Sequence, residues 1–108
     1  MISTIFDFGG EIVEVRIDNM NCLFRTKQYG GGFAPIDGLR IDEKGVKKEF
    51  PDLIDNPDWK KIAIERFKDK IKSYSTNKQR MEYIISDLKK WGYKPLYQQE
   101  DGMRVKRL

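Results

Sequence analysis

The chain has 108 residues, of which 39% are hydrophobic and 35% are charged, and its net charge is +4. That length suits one domain with a modest core, and the apolar share is too high for a chain that is disordered throughout. With no histidine and a single cysteine, Cys22, the composition excludes an internal disulfide, histidine-based catalysis and zinc sites built from Cys and His.

The sequence also shows no pattern typical of a targeting signal. No apolar run reaches the roughly 20 residues of a membrane span, and the opening Met1-Ile2-Ser3-Thr4 lacks the basic and apolar regions of a secretion signal. With only one cysteine, we expect a cytoplasmic protein that does not contact membranes.

The first 42 residues predict an antiparallel meander of three to four strands. Apolar and polar residues alternate, so that Val13, Val15 and Ile17 face a core while Glu14 and Arg16 face solvent. Glycine pairs and Asp-Asn runs between these segments indicate tight turns. We predict strands over 1–8, 11–18 and 22–29, and a short fourth strand over 38–42.

A helical hairpin is predicted over 57–91, after a polar, irregular stretch over 43–55 that has room for one short turn of helix. The first helix begins at Asn56-Pro57-Asp58. The second begins with the capping-box spacing of Thr76 and Gln79 and ends at Gly92. Their apolar stripes are Trp59, Ile62, Ala63, Phe67, Ile71 and Tyr74, and Met81, Ile84, Ile85, Leu88 and Trp91.

A terminal β-hairpin over 95–107 turns at Asp101-Gly102, a strong two-residue turn signal. Regular pairing from that turn places Gln99 opposite Arg104, Gln98 opposite Val105 and Tyr97 opposite Lys106. The whole chain, 1–108, is therefore predicted to be a single α+β domain: sheet over 1–42, helical hairpin over 57–91, and a hairpin that extends or flanks the sheet.

The charge is divided unevenly along the chain. Residues 1–57 carry seven Lys and Arg against ten Asp and Glu, a net of −3, whereas 58–108 carry fourteen against seven, a net of +7. A basic half indicates either a polyanion-binding face or an ordinary solvated helical surface.

The basic hairpin is the first candidate binding surface. Cationic side chains neutralise phosphates and an exposed tyrosine stacks on bases. The alternative is an edge hairpin that its charges keep soluble. The residues of this surface are Tyr97, Arg104, Lys106 and Arg107, with Lys78 and Arg80 early in the second helix.

A second candidate surface lies on the third strand. Arg25, Lys27 and Tyr29 precede three glycines and Phe33, and a basic, aromatic strand of this kind is typical of sheets that bind single strands. The alternative is that the aromatic residues only close the end of the sheet. The glycines lack the Gly-Lys-Ser/Thr ending of a phosphate-binding loop, so nucleotide hydrolysis is not expected.

An enzymatic role is the weakest hypothesis. Asp37 and the run Asp42-Glu43-Lys44 faintly resemble the carboxylates and lysine of a metal-dependent nuclease, but the spacing is too short and such runs are common in turns. We predict no catalytic residue, no metal and no cofactor, and a Cys22 that is buried rather than reactive.

The sequence therefore predicts a small, non-enzymatic nucleic-acid-binding protein that uses its basic C-terminal face. The alternative is a protein-interaction or inhibitor module, of the kind that mobile elements encode, with an acidic protein partner. Ile64 and Tyr83 fall outside the apolar stripes, and exposed apolar residues there would suit a homodimer, although single exposed apolar residues are normal.

Overall fold

The computed structural model describes residues 1–26 and 31–108. The candidates Lys27 and Tyr29 lie outside the described residues, as does the end of the predicted strand over 22–29. The predicted α+β class is confirmed, with six strands and three helices in the described part. The strands are β1 Ile2–Phe8, β2 Glu11–Asp18, β3 Asn21–Thr26, β4 Ala34–Pro35, β5 Lys94–Glu100 and β6 Met103–Arg107; the helices are α1 Glu43–Glu49, α2 Trp59–Ser73 and α3 Asn77–Lys90.

The six strands form one antiparallel sheet in the order β4-β3-β2-β1-β5-β6. The first four strands form a meander, in which β1 and β2 fall within the predicted strands and β3 begins one residue before the predicted one. The terminal hairpin extends the sheet, because β5 pairs with β1 from Ile2 opposite Glu100 to Asp7 opposite Lys94. The N-terminal strand and the first strand of the C-terminal hairpin are therefore neighbours inside the sheet, and β6 is one of its edges.

The helices lie on one face of the sheet and form the core with it. Val13, Val15 and Ile17 face the helices as predicted, and each is at most 3% exposed. The core cluster also contains Ile2 and Phe6 from β1, Val46 from α1, Phe67 and Ile71 from α2, Met81, Ile84 and Leu88 from α3, and Trp91 after it.

The local signals at the two glycine-containing turns and at both ends of α3 are confirmed, whereas α2 begins at Trp59 and has no side-chain cap. Gly9 and Gly10 both have positive φ, as do Asp101 and Gly102, which gives each two-residue turn the twist that an antiparallel pair needs. Thr76 and Gln79 form the capping box of α3. Gly92 ends that helix with a φ of 98°.

The segment over 38–55 differs from the prediction. The fourth strand is Ala34–Pro35 rather than 38–42, and Leu39 is buried without being in a strand. Residues 43–49 form a two-turn helix, α1, which Asp42 caps by accepting a hydrogen bond from the Gly45 backbone N–H. The sequence signal was weak because Val46 is the one buried residue of this short helix.

Ile64 also corrects a prediction. It is 3% exposed rather than a surface residue, so it offers no apolar contact to a second copy. Within the described residues, none of the helices is both long enough and apolar enough to cross a membrane.

Candidate nucleic-acid interface

The face of the sheet opposite the helices is here called the open face. Side chains alternate along each strand, so residues paired directly across neighbouring strands point to the same side. Starting from Glu14, which alternates with the core residues Val13 and Val15, the pairing assigns residues of β1, β2, β3, β5 and β6 to this face. Among them are Ser3, Ile5, Glu14, Arg16, Leu23, Arg25, Tyr97, Gln99, Arg104 and Arg107, together with the acidic Asp7 and Asp18 and with Ile12, Asn21 and Lys94.

The pairing brings the two candidate surfaces onto this single face. One row runs from Arg107 through Tyr97, Ile5 and Glu14 to Arg25, across β6, β5, β1, β2 and β3. With about 4.8 Å between neighbouring strands, this row is roughly 19 Å long. The hairpin residues and Arg25, which are far apart in sequence, therefore belong to one continuous surface.

The hairpin register differs from the prediction by one residue. β6 has one extra residue, Val105, opposite the step from Gln98 to Gln99, so Gln99 stays opposite Arg104 but Gln98 pairs with Lys106 and Tyr97 with Arg107. Beyond the extra residue, each side chain lies on the opposite face of the sheet from the one predicted. Lys106 therefore points to the helix side, and Arg107 joins the open face.

A compact ionic cluster occupies the β2–β3 end of the open face. The Glu14 side chain is 3% exposed and accepts hydrogen bonds from Arg25 Nε at 3.0 Å and Arg16 Nη2 at 3.3 Å. The Phe33 ring covers both guanidinium groups, whose central carbons lie 4.0 Å (Arg16) and 4.6 Å (Arg25) from the ring centre. The carboxylate thus fixes two arginines whose guanidinium groups both lie over one ring.

A second stacked pair occupies the hairpin end of the same face. The guanidinium carbon of Arg104 lies 4.0 Å from the ring centre of Tyr97. All five residues of β6 are exposed, so Arg104 and Arg107 present their charge to solvent. Four of the seven arginines in the chain thus lie on the open face.

Lys78 and Lys106 lie together but away from this face. They line a groove of about 410 Å³ between α3 and the hairpin, with Ile85 and Val105 at its apolar part. Glu82 and Glu100 line the same groove. The two carboxylates offset the charge of the two lysines in this groove.

Arg80 lies inside the structure rather than on a surface. It is 9% exposed, and its guanidinium donates to the carbonyl oxygens of Ile71 and Tyr74 at 3.2 and 2.6 Å and to Asn77 Oδ1 at 2.7 Å. These bonds satisfy the C-terminal carbonyls of α2 at the turn into α3. The side chain therefore joins the two helices and is not available to a phosphate.

The acidic residues considered for metal chemistry have structural partners. Asp37 accepts a hydrogen bond from Lys68 Nζ at 2.8 Å, which lowers the pKa of its carboxyl group, and Asp42 caps α1. No group of three or more Cys, Asp and Glu within residues 1–26 and 31–108 is arranged to hold a metal ion. Burial raises the pKa of Cys22 to about 12, which leaves its thiol protonated.

A buried polar cluster joins α1 to α3. Trp91 Nε1 donates to Glu49 at 2.9 Å, and the Tyr83 hydroxyl donates to Asp87 at 2.8 Å. Burial, and then the nearby Asp87 carboxylate, raise the pKa of Glu49, while Lys90 opposes that rise. These contacts hold the helices together and lie on the side of the sheet away from the open face.

Sequence reasoning identified Arg25, Phe33, Tyr97, Arg104 and Arg107 but not that they share a face. It also missed Arg16, although the alternation Val13-Glu14-Val15-Arg16 places Arg16 on the face opposite the core. Comparisons with family models, with curated proteins and with solved structures found no match to this chain.

Proposed function

We propose that this protein binds nucleic acid on the open face of its sheet and has no enzymatic activity. The observation that carries the proposal is the pairing of arginine with an aromatic ring at both ends of one face: Arg104 on Tyr97, and Arg16 and Arg25 on Phe33.

The chemistry of the face suits a polyanion with aromatic bases. Arginine presents a planar fork of donors to phosphate oxygens, and neutralising a phosphate releases counterions. Aromatic rings and guanidinium planes both stack on bases. The two exposed arginines of β6, Arg104 and Arg107, are the main phosphate contacts in this proposal, and Tyr97 is the first stacking surface.

The experiment is fluorescence anisotropy with labelled single- and double-stranded DNA and RNA at several salt concentrations. We expect the double variant Arg104→Ala/Arg107→Ala to bind nucleic acid more weakly than wild type. For a single strand, the plot of log K against log salt should become less steep by about 1.4, because each lost phosphate contact contributes about 0.7 to the slope. The matched control is Lys72→Ala/Lys89→Ala, which removes two exposed charges from α2 and α3.

Equal losses in the two double variants would contradict the proposed site, because they would show that net charge alone drives binding. A wild-type protein that binds none of the polymers at low salt would contradict the function itself. Circular dichroism of both variants controls for folding. The compartment in this proposal is the cytoplasm, where a lone thiol stays reduced.

A second candidate function, docking of an acidic protein segment, is favoured by the edge strand β6. Met103 is 72% exposed and Val105 52% exposed, beside three basic residues of the same strand. An extended acidic segment could add to this edge as a further strand. A second copy fits less well, since an antiparallel β6–β6 pair centred on Val105 would place Arg104 opposite Lys106, and facing like charges destabilise a sheet.

Co-purification separates the two functions. A nucleic-acid ligand raises the ratio of absorbance at 260 nm to that at 280 nm, whereas a protein partner adds a second band. Met103→Ser/Val105→Ser should abolish capture of the protein partner and leave nucleic-acid affinity unchanged, because neither residue is on the open face. Loss of nucleic-acid binding in that variant would contradict the assignment to the open face.

A further inference from the structure

We infer that the ligand is a single-stranded nucleic acid, with its phosphates along β6 and its unpaired bases extending across the open face towards β2 and β3. This inference rests on the proposed function and specifies the polymer. It follows from three properties of the open face: where its charge is accessible, where its planar groups lie, and how β5 is held in the sheet.

The accessible charge is concentrated at β6. Arg16 and Arg25 share the buried carboxylate of Glu14, with Arg25 Nη2 only 2.9 Å from Glu14 Oε1, and the Phe33 ring covers both guanidinium groups. Their charge is therefore partly neutralised and partly covered. Arg104 and Arg107 are exposed, so a phosphate backbone gains most by following β6.

The planar groups extend inward from that line. Tyr97 is one strand from β6, and Arg25, which stacks on Phe33, is three strands beyond Tyr97, or about 14 Å at 4.8 Å per strand. Between them lies Ile5 of the same row, which is only 2% exposed and so adds little surface for a ligand. A base that projects from a backbone on β6 therefore meets the Tyr97 ring first, and the next ring across the face is Phe33.

A duplex cannot use this arrangement. Its bases are paired and stacked inside the backbone, so a sheet face would touch only phosphates. A two-stranded ribbon can enter the major groove, but β5 is paired to β1 from Lys94 to Glu100. The hairpin is therefore part of a wide sheet and not a free ribbon, whereas unpaired bases can lie flat on it.

The test compares a labelled single strand with a duplex of the same length, using wild type, Phe33→Leu and Tyr97→Leu. We expect the single strand, as DNA or RNA, to bind at least 10-fold more tightly than the duplex. Each leucine variant should weaken single-strand binding by about 5- to 150-fold, the range for loss of one stacked base. The salt slope and the duplex affinity should stay unchanged, because no phosphate contact is lost.

Two further variants control for folding and for loss of an aromatic ring elsewhere. Phe33→Tyr keeps the ring over Arg16 and Arg25, so it should retain single-strand affinity if stacking is the cause. Phe50→Leu removes a ring that lies beneath an arginine on the helical side, where Arg66 is 4.9 Å from the ring centre. That control should leave binding unchanged.

The outcomes separate this inference from the proposed function. The single-strand inference would be overturned if the duplex bound as tightly as the single strand and if Arg104→Ala/Arg107→Ala abolished that binding while Phe33→Leu and Tyr97→Leu did not. That result would leave the proposal of nucleic-acid binding intact. Absence of binding to every polymer at low salt would overturn both. Loss of affinity in Phe33→Tyr equal to that in Phe33→Leu would overturn the stacking role of Phe33.

Discussion

Replacing Glu14 by glutamine tests the ionic cluster at the β2–β3 end of the open face. The change keeps the size and shape of the side chain and removes the charge that Arg16 and Arg25 share. Glu14 is almost fully buried, while the Arg16 and Arg25 side chains are 26% and 38% exposed. Two partly buried guanidinium groups would then face a neutral amide.

The magnitude follows from that partial burial. Removing one partner of a fully buried pair costs about 3–5 kcal/mol, and an exposed pair contributes about 0–1 kcal/mol. Because both arginines reach solvent at one end, we expect an intermediate loss of about 2 kcal/mol in the free energy of unfolding. At roughly 4–8 °C per kcal/mol for a chain of this size, Tm should fall by about 8–16 °C.

Urea unfolding followed by tryptophan fluorescence, together with thermal melting, measures this loss. The matched control is Glu11→Gln on the same strand. Glu11 accepts a hydrogen bond from Arg40 at 3.3 Å, but Arg40 is 72% exposed, so the control should cost less than about 1 kcal/mol. If the Glu14→Gln protein were as stable as the Glu11→Gln protein, the reasoning that burial strengthens the contribution of Glu14 and its two arginines to stability would be refuted.

The same variant makes a second, opposite prediction for binding. Without Glu14, the open face gains one net positive charge close to the stacking ring, so folded Glu14→Gln should bind nucleic acid more tightly and with a steeper salt dependence than wild type. Weaker binding by the folded variant would show instead that Glu14 serves to position Arg16 and Arg25.

Two predictions concern the helical side. The pKa of Glu49 is raised, so the folded state holds the Glu49 proton more strongly than the unfolded state does. The contribution of Glu49 to stability therefore falls as pH rises from about 4.5, the ordinary pKa, through the folded pKa. Urea unfolding from pH 4 to 8 should show the stability of wild type declining relative to that of Glu49→Gln, and a constant difference would contradict this. A Cβ at Gly45 would clash with the Lys90 backbone carbonyl oxygen, so Gly45→Ala should lower stability by about 1–3 kcal/mol. Gly32→Ala, with nothing within 4 Å of the added Cβ, should change stability by less than about 0.5 kcal/mol, and equal effects would contradict the close helix contact.

Local structure was predictable because it depends on residues that are neighbours in the chain. The turns at Gly9-Gly10 and Asp101-Gly102 need positive φ, which these residue types tolerate. Thr76 and Gln79 satisfy each other's backbone groups three residues apart. Alternation in β2 and the apolar stripes of α2 and α3 likewise identified most of the core residues, but not the burial of Glu14 or of Ile64.

What the sequence left open depends on contacts between distant segments. The sequence determined the α+β class, the basic C-terminal half and most of the arginines and rings of the candidate site. The tertiary structure decided that β5 pairs with β1, which places Tyr97 and Arg25 on one face, and that a bulge exchanges Lys106 for Arg107 there. It also decided that Arg80 is buried. Strand order and register are set by which distant residues pack together, and no local pattern encodes them.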